Sequence, residues 1–346
     1  MPAATPPHEN STLVADIREA VDGLSRQTKT ILGQLIRRGE RVALLDYPRH
    51  GNVGDHAIWL GETAGLAGLR ARRIYTCDHR SYSRADATVA IADRLILIHG
   101  GGNLGDIWPA YEQFREDIIR DFPNNRIIQL PQSIYFDDAG KAASLRDRIK
   151  QHGGVTLMVR DRPSVTRAAD LLDVEAVLCP DMAFALGPLT RLREPHCDVM
   201  YLKRTDSEAR ADQYIAPSRI SGVIVESRDW LDFDGLEAFL DKADLRYPSI
   251  FNSAPGQLLL RGWVYDRRSK LSLQRGIAIL SRGRTVVSDR LHGVILSLLA
   301  GLPVVPLDNR TGKIWEFIST WLPPQIVEQF AISARLWRLE QNLERA

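Results

Sequence analysis

The segment Ser288-Asp289-Arg290-Leu291-His292-Gly293 sets a permanent cation and a titratable proton carrier two residues apart. A guanidinium offers planar paired donors to carboxylates and phosphates, and an imidazole changes charge near neutrality. Together they read as chemistry on an anionic substrate; the plainer reading is an Arg–Asp ion pair beside a capping histidine. Arg160-Asp161-Arg162-Pro163-Ser164 brings a second candidate guanidinium, Arg160, with Ser164 as the expected N-cap of the helix that follows. Asp181, in Cys179-Pro180-Asp181, can orient an acceptor hydroxyl or a catalytic cation, or simply cap a helix. Asp308-Asn309-Arg310-Thr311-Gly312-Lys313 adds the positive charges Arg310 and Lys313.

Two glycine-rich segments accompany these residues. One is Gly51-Asn52-Val53-Gly54-Asp55, with Asn52 and Asp55 as candidate ligands; the other is Gly100-Gly101-Gly102-Asn103-Leu104-Gly105. Glycines let a backbone approach a ligand closely, and N–H groups at a helix start favour negative charge. Gly100, Gly102 and Gly105 also match a dinucleotide fingerprint. That segment follows the third strand candidate, however, and the next strand ends at Gln129-Leu130-Pro131 without an acidic ribose ligand. Metal-ligand spacing is poor: no histidine pair lies one helical turn apart, and Asp232-Phe233-Asp234 stands where it would cap a helix. No cofactor is expected.

These residues need strand ends to carry them. Apolar strand candidates lie at 41–46, 73–77, 94–99, 126–130, 155–160 and 175–179, and again at 198–202, 222–226, 285–288 and 303–307. Helical patterns separate most of them, for example 108–120, 139–151 and 164–172. In the second half they fall at 207–214, 236–242, 267–281, 291–300 and 313–320. Continuous apolar strands alternating with helices predict parallel sheets covered on both faces. The expected fold class is α/β, with two Rossmann-like doubly wound domains facing a cleft. The boundaries are an N-terminal lead and helix to residue 40, a first domain at 41–187 and a Pro-rich linker at 188–196. A second domain follows at 197–323, then a C-terminal helix at 324–346.

Composition narrows the class. The chain has 346 residues, 44% hydrophobic and 25% charged, as in globular proteins rather than disordered or fibrous ones. With 45 basic and 43 acidic residues the net charge is +2, which makes no case for nucleic acid as a partner. Cys77, Cys179 and Cys197 are isolated and odd in number, so buried free thiols in a reducing compartment are expected. The polar, Pro-rich start lacks a signal-peptide core, and the apolar run at 294–307 is too short to span a bilayer. The expected location is cytoplasmic.

Taken in order, the motifs form a set: Gly51-Asn52-x-Gly54-Asp55, Gly100-Gly101-Gly102, Arg160-Asp161-x-x-Ser164, Pro180-Asp181 and Ser288-x-Arg290-x-His292-Gly293. From about Asp46 to Trp315 this set resembles the polysaccharide pyruvyl transferases. The resemblance implies a GT-B-like fold and transfer of pyruvate from phosphoenolpyruvate onto a sugar of a polysaccharide precursor. It assigns donor binding to Arg160 and Arg290 and catalysis to His292, and it sets Lys313 near a basic position of some relatives. It also implies a glycan or lipid-linked acceptor and a peripheral visit to the membrane. Arg70-Ala71-Arg72-Arg73 and an amphipathic helix near 13–38 are the supporting features. Two rivals remain at this stage, a sugar-nucleotide glycosyltransferase of similar fold and a non-catalytic anion-binding protein.

Overall fold

The computed structural model describes residues 11–206, 208–209, 219–220, 222–232 and 255–343. The chain divides into two compact units. The larger comprises Arg26–Leu186 and Phe233–Leu271; the smaller comprises Met1–Ser25, Gly187–Asp232 and Ser272–Ala346.

The larger unit begins with the second half of α1 (Ser11–Leu35). It continues through β1 (Arg41–Leu45), α2 (Val53–Gly68), β2 (Arg72–Cys77), α3 (Arg84–Ile91), β3 (Leu95–Ile98), β4 (Gly101–Gly105) and α4 (Pro109–Asp121). Then come β5 (Ile127–Tyr135), α5 (Ala139–His152), β6 (Val155–Val159), α6 (Arg162–Leu172) and β7 (Val177–Leu178). The strands are parallel, in the order β2-β1-β3-β5-β6-β7, with β4 paired to β5 off that path. Apolar runs such as Leu95-Ile96-Leu97-Ile98 bury both strand faces, and separate hydrophobic clusters fill the two sides of the sheet. The chain steps outward from β1 to β2, then returns across β1 to β3. The β1/β3 boundary is therefore a topological switch point, where doubly wound sheets open a crevice beyond the strand ends.

Three local expectations are corrected here. Gly101–Gly105 is a short strand rather than a loop, and Gly101 takes φ +129, which only glycine adopts without strain. Strand β5 does not stop at Leu130. It runs through Pro131 to Tyr135 because the register shifts between Gln129 and Gln132, so the missing proline N–H costs no ladder bond. The cap of α6 is Asp161, which accepts from the Ser164 backbone N–H at 2.8 Å. Pro163 sits in the first turn, where its fixed φ suits a helix start, and this places Ser164 inside the helix.

The smaller unit holds β8 (Cys197–Leu202), β9 (Arg219–Ile220), β10 (Val223–Arg228), the C-terminal part of α7 (Pro255–Leu280), and β11 (Gly283–Ser288). It ends with α8 (Leu291–Leu299), β12 (Val304–Pro306), α9 (Lys313–Trp321) and α10 (Pro324–Leu343). Its sheet order is β12-β11-β8-β10-β9, parallel except for the β9–β10 pair. The chain again leaves β8 on one side and returns on the other, so β8/β11 is this unit's switch point. Helix α7 starts well before the expected 267. The helices expected at 207–214 and 236–242, and Asp234, lie outside the described residues.

The three cysteines are buried and free. Among the described residues no helix is long and apolar enough to cross a membrane.

Candidate functional site

In the smaller unit, the residues that follow β8, β10 and β11 are Lys203-Arg204, Asp229 and Asp289-Arg290. Ser288 pins the turn: its Oγ accepts from the Arg290 backbone N–H at 3.0 Å and donates to the Leu202 carbonyl at 3.1 Å. Arg290 occupies the N-cap position of α8 and His292 lies in that helix's first turn. Gly293 must be glycine, since an ideal Cβ there would stand 2.2 Å from Ser288 Oγ and 2.8 Å from Leu202 Cδ2. The close seat of α8 on the sheet follows from this one missing side chain.

Buried carboxylates hold the cations of this switch point in place. Arg290 Nη2 lies 2.6 Å from Asp229 and 3.3 Å from Asp206. Arg204 grips Asp206 with two bonds, at 2.7 and 3.1 Å, and reaches Glu208 at 3.0 Å; Lys313 also bonds Glu208. Burial works against the Asp206 charge, but the Arg204 fork and the Arg290 charge hold its carboxyl down at about 2. Glu208 is likewise lowered by Lys313 and Arg204, against its burial. Among the described residues, the buried Arg290 Nε has no hydrogen-bond acceptor. A buried donor without an acceptor costs free energy, which an incoming anion can recover. The arrangement is three fixed cations, a histidine two residues beyond Arg290, and a spare directed N–H.

Sequence reading named Arg290, His292 and Lys313 as candidates but not Arg204, Asp206, Glu208 or Asp229, which the structure sets around them. For Arg204 the signal was a charged residue two places past Leu202, the last apolar residue of β8; Asp229 directly follows the end of β10. The second feature is their shared strand-end position, which only sheet order reveals.

In the larger unit five strand ends also carry a buried polar residue: Asp78 after β2, Asp46 after β1, His99 after β3, Arg160 after β6 and Asp181 after β7, with Gln132 buried inside β5. Arg160 donates to Asp181 at 2.7 Å and to Ser133 Oγ at 2.9 Å. Asp181 also accepts from the Ala183 N–H at 2.9 Å, so the two candidates form one buried pair. Asn52 caps α2 by accepting from the Gly54 N–H and donates to Asp55 at 2.8 Å. Gly101 lies beside them, its ideal Cβ 3.5 Å from Asp55 Oδ1. Gly100 donates to Glu62 at 2.8 Å, while Asn103 accepts from Arg115 and from Gln132 at 2.9 and 2.8 Å. Gly102 is half-buried within β4. The candidates of this unit thus gather on one sheet edge.

For metals, no group of three His, Cys, Asp or Glu side chains suited to an ion occurs among the described residues. Asp232 accepts from the Asp229 N–H at 2.7 Å and closes a turn.

Residues 52–311 match the family model described as polysaccharide pyruvyl transferase. The chain belongs to that family. It is 30% identical over 301 residues to "Pyruvyl transferase 1" of Schizosaccharomyces pombe, covering 82% of this chain and 70% of the yeast protein. It is also 30% identical over 311 residues to "Putative pyruvyl transferase EpsO" of Bacillus subtilis, covering 89% and 93%. Among solved structures, a functionally uncharacterized Klebsiella pneumoniae protein, KP1_0663, superposes with a TM-score of 0.56 over 86% of this chain and 93% of that one. Its 18% identity speaks to fold alone. As a polysaccharide pyruvyl transferase family member, the chain carries the SDRLHG segment inside the matched region.

Proposed function

We propose that this protein moves pyruvate from phosphoenolpyruvate onto a sugar of an exopolysaccharide precursor, forming a cyclic ketal. The observation that carries the reading is the Arg290 side chain at the β8/β11 switch point. It is buried, held by Asp229 and Asp206, with Nε still to be satisfied and His292 two residues away. Phosphoenolpyruvate presents both a carboxylate and a phosphate to such donors. Family membership supports the same reaction class.

The chemistry asks little beyond these groups. A proton goes to the methylene carbon of the enol phosphate, leaving a cationic centre at the carbon that bears phosphate. One sugar hydroxyl attacks that centre and gives up its proton. Phosphate then leaves with the carbon–oxygen bond pair, and a second hydroxyl of the same sugar closes the ketal, its O–H bond breaking and its proton passing to the departing phosphate. The products are the ketal and inorganic phosphate, and no electron acceptor is needed. His292 is the proton carrier in this scheme, and Arg290 and Lys313 neutralise the donor. Arg160 carries the same donor-binding expectation in its own right, and the acceptor is a glycan, free or lipid-linked.

The test is mass spectrometry of the purified protein with phosphoenolpyruvate and a panel of glycans. A pyruvate adduct accompanied by phosphate release is expected. An adduct formed only from a nucleotide sugar would assign the chain to glycosyl transfer instead. Ligand-induced stabilisation with no adduct from any donor would mark a binding protein.

A further inference from the structure

The loop after β12 holds a buried amide that the needs of the fold do not account for. Asn309 is 3% exposed. Its Oδ1 accepts from the Thr311 backbone N–H at 3.2 Å and from the Thr311 hydroxyl at 3.0 Å, which closes the turn ahead of α9. A backbone N–H can only donate, so the amide oxygen must face Thr311 and the amide nitrogen lies on the opposite side of the carboxamide. That nitrogen, Nδ2, has no hydrogen-bond partner among the described residues. A buried donor left without an acceptor costs free energy, and the turn does not require it. Serine or aspartate would supply the same capping oxygen with no amide N–H to satisfy.

This loop is moored to the cation cluster of its own unit. Strand β12 pairs with β11 as far as Ser288 and Pro306, and the Leu307 N–H donates to the Ser288 carbonyl at 2.8 Å. The chain therefore leaves the sheet beside Asp289 and Arg290. Further on, the Arg310 N–H donates to the Glu208 carbonyl at 3.2 Å, and Lys313 bonds the Glu208 side chain. Asn309 is thus tied on one side to the strand that carries Arg290, and on the other to the carboxylate shared by Arg204 and Lys313. In this cluster three cations, Arg204, Arg290 and Lys313, face three carboxylates, Asp206, Glu208 and Asp229. The formal charge of these six groups is zero, so their pull on an anion comes from directed N–H groups rather than from excess positive charge. Arg290 Nε and Asn309 Nδ2 supply such groups, both buried and both without an acceptor among the described residues.

We propose that Asn309 is a phosphoenolpyruvate-binding residue, whose Nδ2–H group bonds an ionised oxygen of that substrate alongside Arg290 Nε. This rests on the pyruvyl transfer reading and adds to it an uncharged contact. An amide whose oxygen is spent on Thr311 can only donate. It therefore favours the ionised oxygens of a carboxylate or phosphate over a hydroxyl, which must also place its own proton. Being neutral, Asn309 adds this bond without disturbing the carboxylates that fix Arg204 and Arg290. Either end of phosphoenolpyruvate offers the right oxygens, and inorganic phosphate and pyruvate each stand in for one of them.

The test uses the full chain as wild type, Asn309→Ser, Asn309→Asp and Thr311→Val, titrated with phosphoenolpyruvate by calorimetry and assayed for turnover. Serine and aspartate both keep an oxygen for the Thr311 N–H, but neither carries the amide nitrogen. Asn309→Ser should weaken phosphoenolpyruvate binding by about 10–100-fold, with KM rising in step and kcat little changed. Asn309→Asp should weaken it further, because a carboxylate there repels the anion. Thr311→Val removes one of the two bonds that steady Asn309 and leaves Nδ2 in place, so its affinity should stay close to that of wild type. Titrations of wild type and Asn309→Ser with inorganic phosphate and with pyruvate identify the contact: the ligand whose affinity falls is the end that Asn309 holds. Wild-type affinity for phosphoenolpyruvate in a folded Asn309→Ser or Asn309→Asp protein overturns the proposal. So does a Thr311→Val protein weakened as much as Asn309→Ser, since the turn rather than the amide would then set affinity. If the wild type neither binds nor consumes phosphoenolpyruvate, the pyruvyl transfer reading itself fails. Phosphate or pyruvate binding that is lost in Asn309→Ser would even then support an anion contact at Asn309, and binding of both unchanged would end it.

Discussion

At the scale of single residues, the two switch points use charge in opposite ways. Around Arg290 the cations Arg204, Arg290 and Lys313 are each paired with a carboxylate, which holds the site in place before an anion arrives. His292→Ala should therefore lower turnover by about 10²–10⁴ while phosphoenolpyruvate still raises the melting temperature. Turnover above about a tenth of wild type in the folded variant would move the proton-carrying role elsewhere. Arg290→Lys keeps the charge but loses the planar fork that spans Asp229 and Asp206, and the KM for phosphoenolpyruvate should rise strongly. Unchanged donor kinetics in this variant would remove Arg290 from the site. Asp46 is the contrasting case. Its folded carboxyl is raised to about 7 from an ordinary 3.8, so the folded state binds its proton more tightly than the unfolded chain does. Stability from this group is greatest at low pH and is lost as pH climbs from about 4 through 7, to a limit on the order of 4 kcal/mol. His99, also raised in the fold, loses its contribution as pH passes through its elevated value. Asp46→Asn should flatten this decline in chemical denaturation measured from pH 5 to 8.

At the scale of elements, the short gap between α8 and its sheet aims Arg290 and His292. Gly293→Ala would drive a methyl into Ser288 and Leu202, the two residues that pin the turn. We expect about 1–3 kcal/mol of destabilisation and a loss of turnover larger than stability alone accounts for. Gly23 is the control: it lies inside α1 with no atom within 4 Å of an added Cβ, so Gly23→Ala should stabilise by about 0.4–1 kcal/mol. Thermal unfolding and turnover of the two variants decide between an aiming role and mere packing. The apolar residues Val21, Leu24 and Leu32 of α1 are buried, and Arg73 is clasped by Asp266 at 2.6 Å and lies over Trp59. The buried face of α1 and Arg73 are thus engaged within the fold, while Arg70 and Arg72 stay exposed. A peripheral membrane visit could draw on these exposed arginines or on a lipid-linked acceptor. Flotation with anionic liposomes, with and without lipid-linked glycan, measures which applies.

At the scale of the whole molecule, the same doubly wound device occurs once in each unit, with different occupants at its strand ends. The smaller unit gathers Arg204, Arg290 and Lys313; the larger gathers Asp46, Glu62 and His99. Anion binding should therefore stabilise the protein as a whole. At a concentration of 100 times its Kd, phosphoenolpyruvate should add about 2.7 kcal/mol, read as a rise in melting temperature that Arg290→Lys diminishes. Turnover should survive exhaustive chelation, since each step of the proposed transfer is a proton or carbon–oxygen event served by side chains. Loss of activity restored by magnesium or manganese would redirect attention to a metal-dependent transfer.

Much of this was legible from residue order. Runs such as Leu95-Ile96-Leu97-Ile98 can only be strands buried on both faces, and their alternation with helices dictates parallel sheets. The SDRLHG segment declared a strand, a turn and a helix start because each residue type has one comfortable place there. Asp161 and Pro131 show the limit at short range, where a cap and a bulge turned on single hydrogen bonds that spacing does not encode. Tertiary structure alone decided which strand ends are neighbours. Asp206, held by Arg204, meets Arg290 because β8 lies beside β11, and Asp46 comes to lie beside His99 because β1 lies beside β3, 53 residues apart along the chain. Sheet order arises from the packing of helices on both faces. A linear pattern names the strands but leaves that order open, and the chemistry sits where the order reverses.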